Sequence, residues 1–455
     1  MEDNKVESGS YLILIASLVF ILICILLDKP LYFGFAGAVA FTVPVLIKKG
    51  YDIRTLNSFM LNGIKGCSRL MVIILLTGIA VSIWLASGVV PTLIYYGFEY
   101  IKHANYLLVC FAAAAVVAVV TGTSIGTIST IGIALLGIGK GFEIPAHIVL
   151  GAVVSGAFFA DRTSPISGIV NITLKTVNIK YRDYIISILE TLMPPAVITA
   201  AVYYFLGRGY MSVVNPERIA EFQHSIGSSF VVSPFILLLP LAVIILSLFG
   251  INIIFNMSIG IFGGAILSKF LQNNTVPEVI QYIISGYHPR TGIGELNEIL
   301  RGGGILSMVE LLLILSGAVA LNSLLEGANM ISPIIQGAVK NVKSKVSMIC
   351  RTAALSSLIT IITCDQVLGV IILGKILQNK FETFGISKIK LARTIADSGT
   401  AIAPLIPWNV NSIIILAITG IPTMQYAPYA LMCYLLPFMT ILFSLFKEKP
   451  CFRSV

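Results

Sequence analysis

The sequence predicts an all-α polytopic membrane protein of roughly 10–12 transmembrane helices, in two inverted repeats with broken helices and re-entrant hairpins. Three observations predict this class. Hydrophobic residues make up 57% of the 455 and charged residues only 11%. The mean hydropathy is +0.95, and long apolar runs recur along the chain. Because soluble domains carry about 25% charged residues, a soluble globular class is excluded.

The predicted spans are apolar runs, since a hydrocarbon core of about 30 Å takes roughly 17–25 helical residues. They lie near residues 11–27, 31–47, 70–96, 107–121, 144–160, 184–206, 230–248, 250–268, 305–325, 346–363, 391–420 and 427–446. No convincing basic leader precedes the first run, and no small-residue cleavage site stands out after it. We therefore interpret it as a retained helix rather than a signal peptide.

Basic residues in short loops predict the orientation, because Lys and Arg stay on the cytoplasmic side. They cluster after the second run (Lys48, Lys49, Arg54, Lys65, Arg69), before the tenth (Lys340, Lys343, Lys345, Arg351) and at the end of the chain (Lys447, Lys449, Arg453). We expect both termini to be cytoplasmic in the plasma membrane, with the connections near 97–106, 207–229 and 270–304 outside.

This topology explains the net charge of +9 without a nucleic-acid partner. The lipid bilayer is the expected surrounding, and the oligomeric state, including a homodimer, stays open. The seven cysteines are scattered without a CxxC pair, so neither a zinc site nor a disulfide framework is indicated. No cofactor is predicted.

A faint internal repeat relates the two halves. Ser68–Gly88 aligns with Ser307–Gly327, the same offset carries Ser124 to Thr363 and Pro165 to Pro404, and a three-residue slip pairs Asp161 with Asp397. The aligned segments begin on opposite predicted sides, as an inverted repeat requires. We predict a first repeat at 1–206, an inter-repeat loop at 207–229 and a second repeat at 230–455. The alternative is that apolar helices resemble one another by composition alone.

Each half also contains two polar interruptions of its apolar runs. They are Thr121–Thr127 and Asp161–Ser167 in the first half, and Thr363–Gln366 and Asp397–Asn409 in the second. Pro165, Pro404 and Pro407 are expected helix breaks. The stretches after Thr127 and Gln366 are short for full spans, so we interpret them as candidate re-entrant hairpins around an aqueous cavity.

Carboxylates at membrane depth are costly and mark ion pathways. Each of Asp161 and Asp397 shares a helix face with a hydroxyl three residues later and lies near a proline. A carboxylate binds Na⁺ when ionised and H⁺ when neutral, so the two ions can compete for one group. The predicted cation and proton site is Asp161, Ser164, Ser167, Asp365, Asp397 and Thr400, with Asp161 and Asp397 as the charged metal ligands.

Secondary ligands are expected among nearby polar side chains: Thr123, Ser124, Thr127, Asn171, Ser398 and Asn409. Two alternatives stay open. The threonines can serve helix packing, and Arg162 or Arg393 can neutralise the aspartate near it. Asp365 lacks an adjacent cation, which favours it as a proton carrier.

At these residues the chain resembles the NhaC family of sodium/proton antiporters. The matching segments are Gly122–Thr127, Gly156–Ser167, Thr363–Gln366, and Arg393–Thr400 continuing into Pro404–Asn409. The resemblance implies a multi-span carrier that exchanges Na⁺ for H⁺, with some relatives exchanging organic acids such as malate and lactate. Here Gly168 replaces a second aspartate of the family pattern and Ile125 replaces a frequent tryptophan, which leaves room for an organic substrate or for a site with fewer charges.

The sequence thus predicts a secondary Na⁺/H⁺ antiporter that works by alternating access, and not an enzyme. The alternative is a cation-coupled carrier or exchanger of a small organic acid or amino acid. Helix packing distances of about 8–10 Å predict that the Cα atoms of Asp161 and Asp397 lie within roughly 20 Å. The hairpins are expected to enter from opposite sides.

Overall fold

The computed structural model describes residues 2–27, 29–101, 104–211 and 216–445. Within these ranges the regular elements are helices, together with one isolated bridge between Tyr287 and Gly302. The basic cluster Lys447, Lys449 and Arg453 lies outside the described residues, as does the last residue of the run predicted at 427–446.

The helices of the first half are α1 Glu2–Leu26, α2 Leu31–Lys48, α3 Ile53–Gly66, α4 Ser68–Ala86, α5 Val89–Ile101, α6 Tyr106–Thr121, α7 Ser124–Thr127, α8 Ile133–Gly141, α9 Ala146–Thr163, α10 Gly168–Val177 and α11 Tyr181–Met211. A π-helical turn, Ile128–Gly132, joins α7 to α8. The run predicted at 70–96 is therefore two helices, because the chain turns at Gly88 with a φ of 79°.

The remaining helices are α12 Pro216–Ser229, α13 Leu238–Leu248, α14 Ile253–Phe270, α15 Val276–Ser285, α16 Gly294–Ile299, α17 Ile305–Gly327, α18 Ile331–Lys340, α19 Lys345–Thr363, α20 Gln366–Thr383, α21 Lys388–Ile402, α22 Val410–Thr419, α23 Thr423–Tyr426 and α24 Leu431–Leu445. 3₁₀ turns occur at Pro234–Leu237, Ala403–Leu405 and Ala427–Tyr429. The connections expected at 207–229 and 270–304 thus contain α12, α15 and α16.

Among the described residues, eight helical segments are long and apolar enough to cross a membrane, or up to ten if each of two bent helix pairs is one span. The bends are 86° between 216–229 and 234–248, and 57° between 423–429 and 431–445. The all-helical membrane class is confirmed. The count of eight to ten reaches the expected range of 10–12 only when both bent pairs are counted as spans.

Residues 106–141 form a helical hairpin, hairpin one. Its arms are α6 and the rod from α7 to α8, and Gly122 turns the chain with a left-handed φ of 71°. At the tip, the hydroxyls of Thr121 and Thr127 are 3.1 Å apart. At the open end, the Tyr106 hydroxyl donates a hydrogen bond to the Leu135 carbonyl. The two arms are therefore antiparallel.

Residues 345–383 form a second hairpin, hairpin two, from α19 and α20. Cys364 turns the tip with a left-handed φ of 58°, and the Thr363 hydroxyl closes the turn by donating to the Asp365 carbonyl at 3.0 Å. At the open end, the Lys345 ammonium group donates to the Gly385 carbonyl at 3.4 Å. A left-handed residue therefore turns the chain at both tips.

These hairpins correct the sequence interpretation in one respect. The stretches after Thr127 and Gln366 were expected to be complete hairpins, and the preceding runs were expected to be full crossings. Each stretch is instead the second arm of a longer hairpin, whose first arm is the preceding helix. The reason is that the polar tip residues, not the apolar stretches that follow them, turn the chain.

Two helices that are interrupted midway, broken helix one (146–177) and broken helix two (388–419), pass between the hairpins. Broken helix one begins beside the open end of hairpin one, where the Ile144 amide donates to the Gly139 carbonyl at 2.9 Å. It ends beside the far part of α20, where the Gln378 amide donates to the Thr176 carbonyl at 2.7 Å.

Broken helix two runs the other way. It begins at the open end of hairpin two, where Lys388 pairs with Glu382 at 3.1 Å. It ends at Thr419, which lines the same cavity as Lys140 at the open end of hairpin one. Each broken helix thus connects the open end of one hairpin to that of the other. The hairpins therefore enter the bundle from opposite ends, as the sequence predicts.

A glycine lets each broken helix approach its hairpin closely. A Cβ atom added at Gly156 would lie 2.2 Å from the Phe111 carbonyl oxygen on α6. A Cβ atom added at Gly399 would lie 2.6 Å from the Ser356 carbonyl oxygen on α19. Small residues commonly permit such contacts between membrane helices. These two contacts hold the hairpin tips beside the helix breaks.

Candidate functional site

Four helices begin where the hairpin tips meet the helix breaks, and a polar side chain caps each beginning. Thr123 accepts from the Gly126 amide, Ser167 from Val170, Asp365 from Val367 and Asn409 from Asn411, at 3.0–3.5 Å. Such caps satisfy amides that have no partner inside the helix. Four of the predicted ligands are therefore N-caps, one at each interruption of the apolar runs.

Asp161 lies at the contact between the tip of hairpin one and broken helix one. Its carboxylate accepts the Ser124 hydroxyl at 2.7 Å and the Ser124 backbone amide at 3.3 Å. The Ser167 hydroxyl donates to the Asp161 carbonyl at 3.3 Å. Hydrogen bonds of this kind stabilise an ionised carboxylate. Ser124, expected to be a secondary ligand, is thus the direct partner of Asp161.

A cavity of about 710 Å³, the Asp161 cavity, lies against this contact. The cavity is lined by the tip of hairpin one and by the break in broken helix one. The tip residues are Thr121–Gly126, and the break residues are Asp161, Pro165 and Ser167–Ile169. The second half contributes Gln366, Val367 and Asn411, and Arg69 also lines the cavity. Asp161 is therefore a carboxylate at the wall of a cavity that both halves enclose.

The neighbouring polar residues hold the break in broken helix one. The Asn171 amide donates to the Pro165 carbonyl at 3.0 Å and to the Ser167 carbonyl at 2.9 Å, and Asn171 lines the cavity. Ser164, a predicted ligand, does not line the cavity. Its hydroxyl donates instead to the Val119 carbonyl at 2.7 Å. Gly168 also lines the cavity, and a Cβ atom there would meet nothing within 4 Å. The position where the family pattern has aspartate is open space.

Asp397 has different surroundings. It is completely buried and does not line the Asp161 cavity. Its carboxylate accepts the Thr191 hydroxyl of α11 at 2.6 Å and the Thr440 hydroxyl of α24 at 2.9 Å. Neither threonine was selected from the sequence, because a hydroxyl on a long, mostly apolar helix gives no functional signal of its own. Asp397 is therefore held between helices that flank the break.

Arg162 connects the two broken helices beside Asp397. Its Nε donates to the Ala396 carbonyl at 3.1 Å and its Nη1 to the Phe158 carbonyl at 2.6 Å. Chain geometry then limits the distance between the Cα atoms of Asp161 and Asp397 to about 18 Å, within the expected limit. The charge of Arg162 offsets part of the cost of burying Asp397.

Most of the other predicted residues make hydrogen bonds within their own helix or turn. Thr400 donates to the Ala396 carbonyl and Ser398 to the Thr394 carbonyl, both within α21. Thr127 similarly donates to the Thr123 carbonyl at 3.0 Å. The Pro404 carbonyl accepts the Tyr426 hydroxyl at 2.6 Å, and Pro407 lies in the turn before α22. Arg393 pairs with Glu190 at 2.9 Å, and its charge also acts on Asp397.

Titratable and thiol side chains do not cluster here. In the described part of the chain, no group of three or more His, Cys, Asp or Glu residues is placed to hold a metal ion. The site around Asp161 offers instead one carboxylate with hydroxyl, amide and carbonyl oxygens. Oxygen donors of this kind suit a hard monovalent cation that passes through the site rather than a resident transition metal.

Comparisons with known proteins place the chain among antiporters. The chain is 32% identical over 390 residues to the Na⁺/H⁺ antiporter NhaC of Alkalihalophilus pseudofirmus, covering 86% of this chain and 84% of that protein. It is 28% identical to the Na⁺/H⁺ antiporter NhaC of Bacillus subtilis, covering 88% of each. It is 27% identical to the malate-2H⁺/Na⁺-lactate antiporter of Bacillus subtilis, covering 89% of this chain and 87% of that protein. Residues 156–447 match the Na⁺/H⁺ antiporter family, and the chain therefore belongs to that family.

Proposed function

We propose that the chain is a secondary active transporter that exchanges Na⁺ for H⁺ across the plasma membrane by alternating access. The observation that carries this proposal is the position of Asp161. It lies at the wall of a cavity, at the contact between a hairpin tip and a helix break. The antiporter relatives, which cover most of the chain, support the same function.

Competition at Asp161 couples the two ions. In the ionised state, the carboxylate binds Na⁺ together with neighbouring oxygen atoms. When a proton binds instead, the negative charge is lost and the cation is released. Because the Ser124 hydroxyl and amide both donate to the carboxylate, they favour the ionised form that binds Na⁺. One group then suffices for exchange.

The access path in this conformation begins at the Asp161 cavity. Arg69, in a cluster expected to be cytoplasmic, lines that cavity, so we propose that it opens to the cytoplasm. At the open end of hairpin one, Lys140 pairs with Glu298 at 3.0 Å, and Arg218 pairs with Glu143 and Glu295 at 3.0 and 2.5 Å. The first pair links hairpin one to α16, and Arg218 of α12 links α16 to the segment that follows hairpin one, on the opposite side.

The two-repeat division at 1–206 and 230–455 is part of the proposal. The opposite entry of the hairpins and the paired glycine contacts at Gly156 and Gly399 support it. In many carriers of this class, such repeats move against each other around a site near the bilayer midplane. The ion site then stays at the break around Asp161, while access to it alternates between the two sides of the membrane.

The test is exchange in proteoliposomes that contain the purified chain. Addition of Na⁺ should collapse an imposed pH gradient without any organic acid, and the apparent KM for Na⁺ should rise as the pH falls, because protons compete for Asp161. A pH gradient that Na⁺ leaves unchanged over the accessible pH range contradicts the proposal.

A second candidate function is exchange of a small organic acid coupled to the cation. The observation that favours it is the cavity volume of about 710 Å³, which is far more than one ion needs. The malate/lactate relative agrees with this reading. If Na⁺ dissipates the gradient only when malate or lactate is added, this candidate replaces the first.

A further inference from the structure

Gln366 presents an amide without a hydrogen-bond partner for its oxygen. The side chain is 8% exposed, at the first position of α20 in the tip of hairpin two. Within the described residues, no donor reaches its Oε1 atom. A buried acceptor without a hydrogen-bond partner destabilises the folded protein. Such a group calls for a ligand that is absent from the protein itself.

Gln366 also faces the site already described, since it lines the Asp161 cavity. Helices α10 and α20 run side by side from that cavity: Thr176 near the end of α10 accepts from Gln378, and a Cβ atom at Gly374 would lie 2.6 Å from the Thr176 side chain. Counting back along both helices brings the start of α20 beside the start of α10, next to Ser167 and Asp161.

The polar groups along this wall of the cavity are mainly oxygen acceptors, which favour a positively charged ligand. Asp161 is an anion whenever it carries no proton, and the Gln366 oxygen is an acceptor without a donor. Asn256, 6% exposed, has a similar amide oxygen without a donor and lines the same cavity. The helix beginnings, which would attract an anion, are occupied by their own caps Ser167 and Asp365. Arg69 also lines this cavity, so the case for a cation rests on the hydrogen-bond acceptors beside Asp161 rather than on the charge of the whole cavity.

We infer that Gln366 is a ligand of the transported cation, so that Asp161 from the first half and the Gln366 amide oxygen from the second hold the ion together. This inference rests on the proposed Na⁺/H⁺ exchange and adds a ligand to it. It also couples ion release to the change of access. When hairpin two moves relative to broken helix one, the two ligands separate and the site opens.

The experiment compares Gln366→Leu with the wild-type chain in proteoliposomes and in detergent. Loss of one ligand oxygen should raise the KM for Na⁺ on the order of tenfold, equivalent to about 1.4 kcal/mol, while the maximal rate changes less than about twofold. In detergent, the Na⁺-induced rise in Tm should require a correspondingly higher Na⁺ concentration.

Gln378→Leu is the matched control. It makes the same exchange on the same helix, outside the cavity, and removes a hydrogen bond to Thr176. Its KM for Na⁺ should stay at the wild-type value. A KM in Gln366→Leu equal to that of wild type overturns the inference, as does a KM in Gln378→Leu raised as much as in Gln366→Leu.

A second substitution keeps the test decisive if Gln366→Leu does not fold. Gln366→Glu retains an oxygen and adds charge, so the KM for Na⁺ at high pH should fall below the wild-type value. An unchanged KM contradicts a ligand role. The proposed function is tested separately. If Na⁺ stabilises the wild-type chain but drives no proton exchange, the antiport mechanism is wrong, while Gln366 can still be a Na⁺ ligand.

Discussion

The two broken helices carry the same polar pattern, an aspartate with a hydroxyl three residues later and a proline beyond it, in different surroundings. In broken helix one, Asp161 lines a cavity and its partner Ser124 belongs to the tip of hairpin one. In broken helix two, Asp397 is sealed among α11, α21 and α24, where Thr191 and Thr440 hold it. Similar sequence therefore does not imply a similar role, because neighbouring helices decide which carboxylate an ion can reach.

The largest effect should come from Asp161→Asn. The amide preserves the size of the side chain but carries no negative charge and cannot take up a proton in exchange for Na⁺, so exchange should fall to the level of empty vesicles. Insertion should be normal, because the change removes a buried charge. The measurement is the Na⁺-driven pH change in proteoliposomes, with variant content checked by immunoblot. Exchange at wild-type rates removes Asp161 from the mechanism.

Ser124→Ala should come next. It deletes the 2.7 Å hydrogen bond to Asp161 but leaves the Ser124 backbone amide in place. The carboxylate then loses one donor to its charged form, so the KM for Na⁺ should rise by roughly tenfold. The increase should be greatest at low pH, where protons compete best. Ser164→Ala is the control, since that hydroxyl bonds the Val119 carbonyl, and its KM should be near wild type.

Asp397→Asn should have a smaller effect on the ion. An amide oxygen can still accept from Thr191 and Thr440, and the side chain does not line the cavity. The KM for Na⁺ should therefore change less than about threefold, below about 0.7 kcal/mol. Asp397→Leu should instead lower the free energy of unfolding by about 1–3 kcal/mol, because two buried hydroxyls lose an acceptor.

Stability by thermal unfolding and the KM for Na⁺ distinguish these outcomes. If Asp397→Asn abolishes Na⁺ binding while its Tm is unchanged, Asp397 is a second ion site, and the difference between the broken helices is smaller than this conformation indicates.

The smallest effect is expected at Asp365. Its carboxylate caps α20 by accepting from Val367, and Asn is as good an N-cap as Asp. Asp365→Asn should therefore exchange with the wild-type pH profile, whereas Asp365→Ala should cost about 0.5–2 kcal/mol of stability. The pH dependence of exchange decides this point: a displaced profile in Asp365→Asn favours the proton-carrier role that the sequence predicted.

Part of this site could be predicted from the sequence, for identifiable reasons. Polar runs and prolines at membrane depth have few explanations, so Gly122, Asp161, Cys364 and the Pro404 segment could be placed at the interruptions. The sequence does not predict which of these residues form hairpin tips, helix caps or ligands, because that depends on which helices pack together. Thr191 and Thr440 are hydroxyls on mostly apolar helices, and Gln366 is one of several polar residues in the interruption Thr363–Gln366. Only tertiary contacts distinguish these three side chains from packing and capping residues.

The most direct test measures protons released when Na⁺ binds to purified protein in weakly buffered detergent. Since Na⁺ and H⁺ compete for Asp161, Na⁺ should release protons from the wild-type chain and from Asp397→Asn to a similar extent, and none from Asp161→Asn. Release that persists in Asp161→Asn, or that disappears in Asp397→Asn, would contradict the assignment of both ions to Asp161.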